Sequence, residues 1–211
     1  AAFDGDPAGS RWVRRAWITA ENAEALLDST GLADELGVLS IDLDGNDFWV
    51  LRSLLRQARP AVIVVEYNAT LGPVDALTVA YRPSRRWDHT NYFGASLAAF
   101  ARLCDTRGYA LVGCGSEGVN AFFVRTDLLE HAGLEAVAVD VAYRPRLDRR
   151  LRRRLLPRQP DRPWLGLRRH HQPIRHRDHR PPRPPCHPVF ASAAMGYCLL
   201  SSSRLAQDGV A

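Results

Sequence analysis

Lysine is absent from this chain of 211 residues, methionine occurs once, at Met195, and cysteine four times, at Cys104, Cys114, Cys186 and Cys198. No two cysteines have C-x-x-C spacing and none are densely spaced, which argues against a zinc knuckle and a disulfide framework and fits a reducing, cytoplasmic setting. No apolar run approaches the ~18 residues of a membrane span, so no membrane partner is expected. The opening, AAFDGDPAGSRWVRR, lacks the basic, apolar and small-residue order of a signal peptide; starting at Ala1 rather than Met, the chain reads as a fragment. Without lysine, all 28 basic residues are arginines.

Those arginines are unevenly placed. Up to Tyr143 there are 12 Arg against 19 Asp plus Glu, and from Arg144 onward 16 Arg against 4 Asp. The net charge of +5 therefore describes neither part. The division sets the expected organisation: a partial domain over 1–143, and an Arg-, Pro- and His-rich tail over 144–211 with no helix or strand pattern, read as disordered.

Within 1–143 the pattern alternates. AWITAENAEALLDSTG carries Thr19 as an N-cap, an acidic first turn and a Gly31 stop, which predicts a short helix. GVLSIDL and AVIVVEY are continuous apolar runs of strand length, as expected where helices cover both faces of a parallel strand. Between them, NDFWVLRSLLRQ places Phe48, Leu51, Leu54 and Leu55 on one helical stripe with Arg52 and Arg56 outside. Residues 68–94 read as a long functional loop or lid. A helix over ASLAAFARLCDTRG follows, then the strands YALVGC and NAFFVR. This order predicts an open α/β sheet with an antiparallel edge.

Two motifs invite assignments that their context refuses. GCGSEG satisfies G-x-G-x-x-G, but VNAFFVR follows it where a dinucleotide loop needs a helix, so the glycines turn a hairpin. The run DLDGND resembles a calcium loop, but its glycine is fourth and Ser53 occupies the twelfth place, where an EF-hand needs Gly sixth and Glu twelfth.

Position is the stronger signal. Ligands of open α/β sheets bind beyond the carboxyl ends of the parallel strands, where Asp42 and Asp44 end one strand and Glu66, Tyr67 and Asn68 the next. Asp4 and Asp6 join that rim if their segment lies in the same sheet. Asp42, Asp44, Gly45 or Asp47 is expected to cap the helix beginning near Asn46, yet one cap does not need three carboxylates. Asp42, Asp44 and Glu66 are candidates for a general base, for anchoring an acceptor hydroxyl or for an oxygen-rich divalent metal site. His89 is a further candidate base, with a solvated loop histidine as the alternative. Trp87 and Tyr92, beside Arg85, Arg86 and Asp88, serve either as packing or as stacking surfaces for a sugar-like or polyketide acceptor.

GVLSIDLDGNDFWVLRSLL, PAVIVVEYNATLGP and YFGASLAAFARLCDTRGYALVGCGSEGVNAFFVRTDLL together resemble the later part of an FkbM-type S-adenosylmethionine-dependent methyltransferase, over residues 1–129. The resemblance implies a Rossmann-like class I methyltransferase sheet, partial because strand one and its glycine-rich cofactor loop are missing, with a C-terminal antiparallel hairpin. A missing strand one implies an exposed interior edge and poor solubility. It further implies S-adenosylmethionine as cofactor, with Asp4 on the ribose hydroxyls and Thr19, Glu21 and Asn22 near the adenine. The implied reaction is methyl transfer to a hydroxyl of a small-molecule or sugar-like acceptor, for which Asp42, Asp44, Glu66 and His89 are the candidate catalytic residues. The alternative is a non-catalytic methyltransferase-like scaffold whose Arg-rich tail binds nucleic acid. For the tail itself four readings stand: an out-of-frame translation of GC-rich DNA, plain disorder, nucleic-acid contact and metal binding through its five histidines.

Overall fold

A computed structural model describes residues 4–5, 11–33, 36–146, 164–167, 187–192 and 197–201. Asp6 and most of the Arg-rich tail lie outside these.

The centre of the chain is a set of four paired strands whose origin is visible in the sequence. Strand β3 (Leu36–Asp42) pairs in parallel with β4 (Val62–Glu66), and the link between them is helix α2 (Asp47–Leu54). In α2 the expected stripe is the buried one, with Phe48, Leu51 and Leu54 inside, Leu55 just beyond its end, and Arg52 and Arg56 in solvent. Strands β6 (Tyr109–Cys114) and β7 (Asn120–Arg125) form the anticipated hairpin, and β7 lies antiparallel to β4. Gly115 and Gly118 sit in the turn between them, so GCGSEG is a hairpin turn, as its context required.

Helix α3 (Leu97–Asp105) precedes that hairpin. It starts where Ser96 Oγ accepts from the Ala99 amide at 3.1 Å, an N-cap that satisfies one of the four orphan donors of the first turn. The same hydroxyl donates to Asp75 O at 2.6 Å and accepts from Leu77 N at 3.0 Å, which ties the long 68–94 segment to the helix. That segment holds only a short 3-10 turn (Ala69–Leu71) and strand β5 (Leu77–Thr78), and otherwise runs as loop.

Helix α1 (Ala23–Asp28) packs on α2, α2 on α3, and α3 on the short α4 (Val139–Ala142). The helices therefore make one layer, and the core between layer and sheet is filled by Leu39, Ile41, Ile63, Val65, Phe100 and Phe123, none more than 2% exposed. Alternate residues of a strand face opposite ways, and Val38, Ser40, Val62 and Val64 are only half-buried. Among the described residues the helices cover one face of these strands, and a polar residue at an alternate position, as at Ser40, is compatible with that.

The remaining strands are β1 (Asp4–Gly5), β2 (Arg11–Arg15), β8 (Leu165–Gly166), β9 (His187–Ser192) and β10 (Tyr197–Ser201). The main sheet has the order β1-β2-β10-β9-β3-β4-β7-β6, while β5 and β8 make a separate pair. Two expectations change here. The tail, read as lacking any strand, contributes β8, β9 and β10 among its described residues. The interior edge expected to be exposed on β3 is paired in parallel with β9 from Leu36 to Asp42. The architecture is thus mixed α/β around an open, mixed parallel and antiparallel sheet. No helix among the described residues is long and apolar enough to cross a membrane.

Candidate functional site

The register of β3 on β4 builds the site. Ile41 is paired with Val65, so one residue further on Asp42 and Glu66 leave their strands side by side, on the face opposite the helix layer and separated by about one strand spacing of 4.8 Å. The backbone then turns through Asp44, which adopts φ +52, a left-handed conformation that Asp tolerates better than most residues. That turn brings a third carboxylate back to the pair. Ligand oxygens of Asp42, Asp44 and Glu66 all lie within 4.8 Å of one another.

Asp47 holds the turn in place from below. Its carboxylate accepts from Leu43 N at 2.7 Å and from Gly45 N at 2.9 Å, and the residue is 1% exposed. Helix α2 is therefore not capped by Asp42, Asp44 or Gly45. Asn46 is its N-cap without a side-chain capping bond, and Asp47, already inside the helix, reaches backward to the loop amides instead. Of the four carboxylates gathered in this region, Asp47 is the one that holds the turn.

Burial raises all four. Glu66 is pushed up to about 8, first by desolvation and then by the charges of Asp42 and Asp47, with Arg146 opposing. Asp47 is pushed up to about 6 by desolvation, against its hydrogen bonds from the backbone. Asp42 is raised by burial, and Asp44 by burial and by the charge of Asp42. Asp42 and Glu66 are hydrogen-bonded to each other. Two carboxyl groups in such contact resist ionising together and titrate as a pair.

The positive charge facing this cluster comes from Arg146, whose Nη1 lies 3.5 Å from Glu66 Oε1. It is felt by Asp42 and Asp44 as well. Sequence reasoning missed Arg146 because it sits 80 positions beyond Glu66, inside the Arg-rich stretch, and no local pattern distinguishes it from its neighbours.

His89 reaches the site only at its margin. It is exposed, has φ +62 and lies against Trp87 with ring centres 4.6 Å apart and planes tilted by 51°, while its charge lowers the pKa of Asp44. Trp87 is 40% exposed beside it, whereas Tyr92 is buried under Arg85 and against Trp164. Of the two aromatics proposed as stacking surfaces, Trp87 is exposed beside His89 and Phe93, and Tyr92 packs. Asn68, at the end of β4, is saturated: its Nδ2 donates to Asn91 O and Phe93 O, and its Oδ1 accepts from Thr70. It shapes the loop.

Of the residues expected to hold the cofactor, Asp4 lies far from the acidic rim and Thr19, Glu21 and Asn22 are engaged within the fold. Strand β1, which carries Asp4, stands four places from β3 in the sheet, about 19 Å away at the usual spacing. Thr19 and Asn22 bond each other, Thr19 N to Asn22 Oδ1 at 2.8 Å and Asn22 N to Thr19 Oγ1 at 3.3 Å, a reciprocal cap at the entry to α1. Glu21 accepts from the Tyr81 hydroxyl, and the same hydroxyl receives Ala20 N. These residues staple the helix entry to the 68–94 loop. Groups of Thr19, Asn22 and Glu21 that a ribose or an adenine would bond thus already have partners among the described residues. Comparison with known proteins found no family model, no curated relative and no solved structure that matches the chain.

Proposed function

We propose that the chain is the acceptor-handling part of an α/β enzyme of the methyltransferase kind, in which the Asp42, Asp44 and Glu66 rim binds a hydroxyl of a small-molecule or sugar-like substrate and removes its proton. The observation that carries this reading is the Asp42–Glu66 pair at the carboxyl ends of two adjacent parallel strands, with Asp44 folded back against it. Strand ends of this kind are where open α/β sheets bind ligands.

The chemistry follows from the proton count. Glu66, protonated near neutrality, donates a hydrogen bond and fixes the orientation of Asp42. Asp42 and Asp44 carry raised pKa values and so are stronger bases than free carboxylates. A hydroxyl placed against them loses its proton to a carboxylate oxygen as its own oxygen becomes the nucleophile. The order β3-β4-β7-β6, two parallel strands followed by an antiparallel hairpin, supports the methyltransferase kind because it is the half-sheet that the sequence resemblance implies.

The test is methyl transfer from S-adenosylmethionine to a panel of polyhydroxylated small molecules, read by mass spectrometry as gain of one methyl. Turnover should be lost in Asp42→Asn and in Glu66→Gln, while undiminished turnover in both removes these residues from the site. A second reading is favoured by the structural use of Thr19, Glu21 and Asn22: a non-catalytic scaffold of the same shape. It predicts no transfer by the wild-type chain. Its nucleic-acid arm, the Arg-rich tail, falls largely outside the described residues.

A further inference from the structure

Beyond α4 the chain turns back across the end of β4 before it reaches residue 146. Four contacts hold it there. Tyr143 Oη donates to Ala69 O at 2.6 Å. Tyr67 Oη donates to Arg144 O at 2.6 Å and accepts from Arg144 N at 3.2 Å. The Arg144–Pro145 backbone lies so close to Gly118 in the β6–β7 turn that a Cβ there would come within 2.5 Å of Arg144 O. Arg146 then reaches Glu66. Arg144 and Pro145 themselves are exposed, so this segment is the outermost layer over the rim.

We propose that residues 143–146 are a displaceable strap that closes the acidic rim, with Arg146 as its latch. The anchors are of two kinds. Tyr67 and Tyr143 hold the strap through main-chain atoms, Arg144 O and N and Ala69 O, whatever occupies the rim. The latch is Arg146, 3.5 Å from a carboxyl oxygen of Glu66 and drawn by the charge of the acidic rim as a whole. Anything that takes over Glu66 competes with Arg146 for the same oxygen, so filling the rim and releasing the end of the strap are one event. Pro145 keeps the residue before it out of helical geometry, which lets the segment swing as an extended piece and stops α4 from absorbing it. That a hydroxylated acceptor is what displaces Arg146 rests on the function proposed above; the strap itself does not.

Cys114 supplies a reporter that needs no substrate. It is half-buried at the end of β6, its thiol is a hydrogen-bond neighbour of the Tyr67 hydroxyl, and the charge of Arg144 acts on it. Arg146 and Tyr143 do not act on that thiol directly, so substituting either changes its reactivity only by moving the strap. Alkylation of the full chain by iodoacetamide is followed at each cysteine by peptide mass spectrometry, in wild type, Arg146→Gln and Tyr143→Phe. Losing one anchor of ordinary hydrogen-bond strength should raise the Cys114 rate about fivefold. Because salt screens the attraction of a partly exposed arginine to the acidic rim, raising ionic strength should speed Cys114 in wild type and leave Arg146→Gln unchanged.

Rates within about twofold of wild type in both variants would overturn the strap. So would equal acceleration at Cys104, which is fully buried in α3, because the whole domain would then be opening. Arg146 is partly exposed, so its substitution leaves the core intact. The outcome is independent of whether the chain transfers methyl groups.

Discussion

Removing the Asp47 side chain is the sharpest test of how the acidic turn is held. In Asp47→Ala the amides of Leu43 and Gly45 lose acceptors at 2.7 and 2.9 Å. Each buried unsatisfied donor costs about 1–3 kcal/mol, so the two together cost on the order of 4 kcal/mol. That loss is not constant with pH. The folded-state pKa of Asp47 is raised from 3.8 to about 6, so the native protein holds its proton longer than the unfolded chain does. The native state is favoured most below the unfolded value and loses stability as pH rises towards 6. A tenfold difference in proton affinity between the two states is worth about 1.4 kcal/mol, so wild type gives up about 2–3 kcal/mol between about pH 4 and pH 8 on account of this one group. Alanine has no such dependence. The difference between wild type and variant should therefore be about 4 kcal/mol near pH 4 and about 2 kcal/mol near pH 8, within the ranges that these magnitudes allow. Urea unfolding at the two pH values reads this directly, with slopes of about 1–3 kcal/mol per molar converting the change into a shift of roughly a molar in midpoint. A difference below about 0.5 kcal/mol at both values, or one that grows with pH, would refute the account of Asp47 as a buried clamp.

Three further outcomes are expected. Glu66→Gln keeps a donor towards Asp42 but cannot ionise; since Glu66 is raised to about 8, the variant should match wild type in urea near pH 4 and exceed it by a few kcal/mol above about pH 8, the sign expected for a carboxyl group that the fold keeps protonated. Ser96→Ala removes the cap of α3 and the bond to Asp75 O together, and should cost about 1–2 kcal/mol in thermal or urea unfolding. Gly118→Ala meets both a φ of +70 and the Arg144–Pro145 backbone, so it should destabilise by at least ~1 kcal/mol in urea and expose Cys114 to alkylation as strap variants do.

The elements with strong periodicity are legible in the chain. The stripe of α2, the hairpin strands β6 and β7 and the glycine turn between them fall where the pattern puts them, because each is decided by contacts within a few residues. Asp42, Asp44 and Glu66 are legible too, since strand ends in a parallel pair are neighbours by construction. What fails is whatever depends on distant pairing. Asp4 is expected at the same rim, but β2, β10 and β9 stand between its strand and β3. Thr19 reads as a helix cap and, with Asn22, as a ligand contact by resemblance, and the mutual hydrogen bonds of the two residues form the cap. Arg146 is hidden for the opposite reason, in a stretch where almost every other residue is also arginine and composition drowns position.

The separations along the chain also order the assembly of the rim in time. Asp42 and Glu66 are brought together by one strand-helix-strand unit, 24 residues from one to the other. Arg146 must return across a further 80, after α3, the hairpin and α4 have been laid down. Closing a longer loop costs more chain entropy, and contacts that span it form later on average. The acidic pair should therefore exist, open to solvent, before its cover arrives. Refolding followed by Cys114 alkylation would register that interval as a phase in which the sheet has formed and the thiol still reacts.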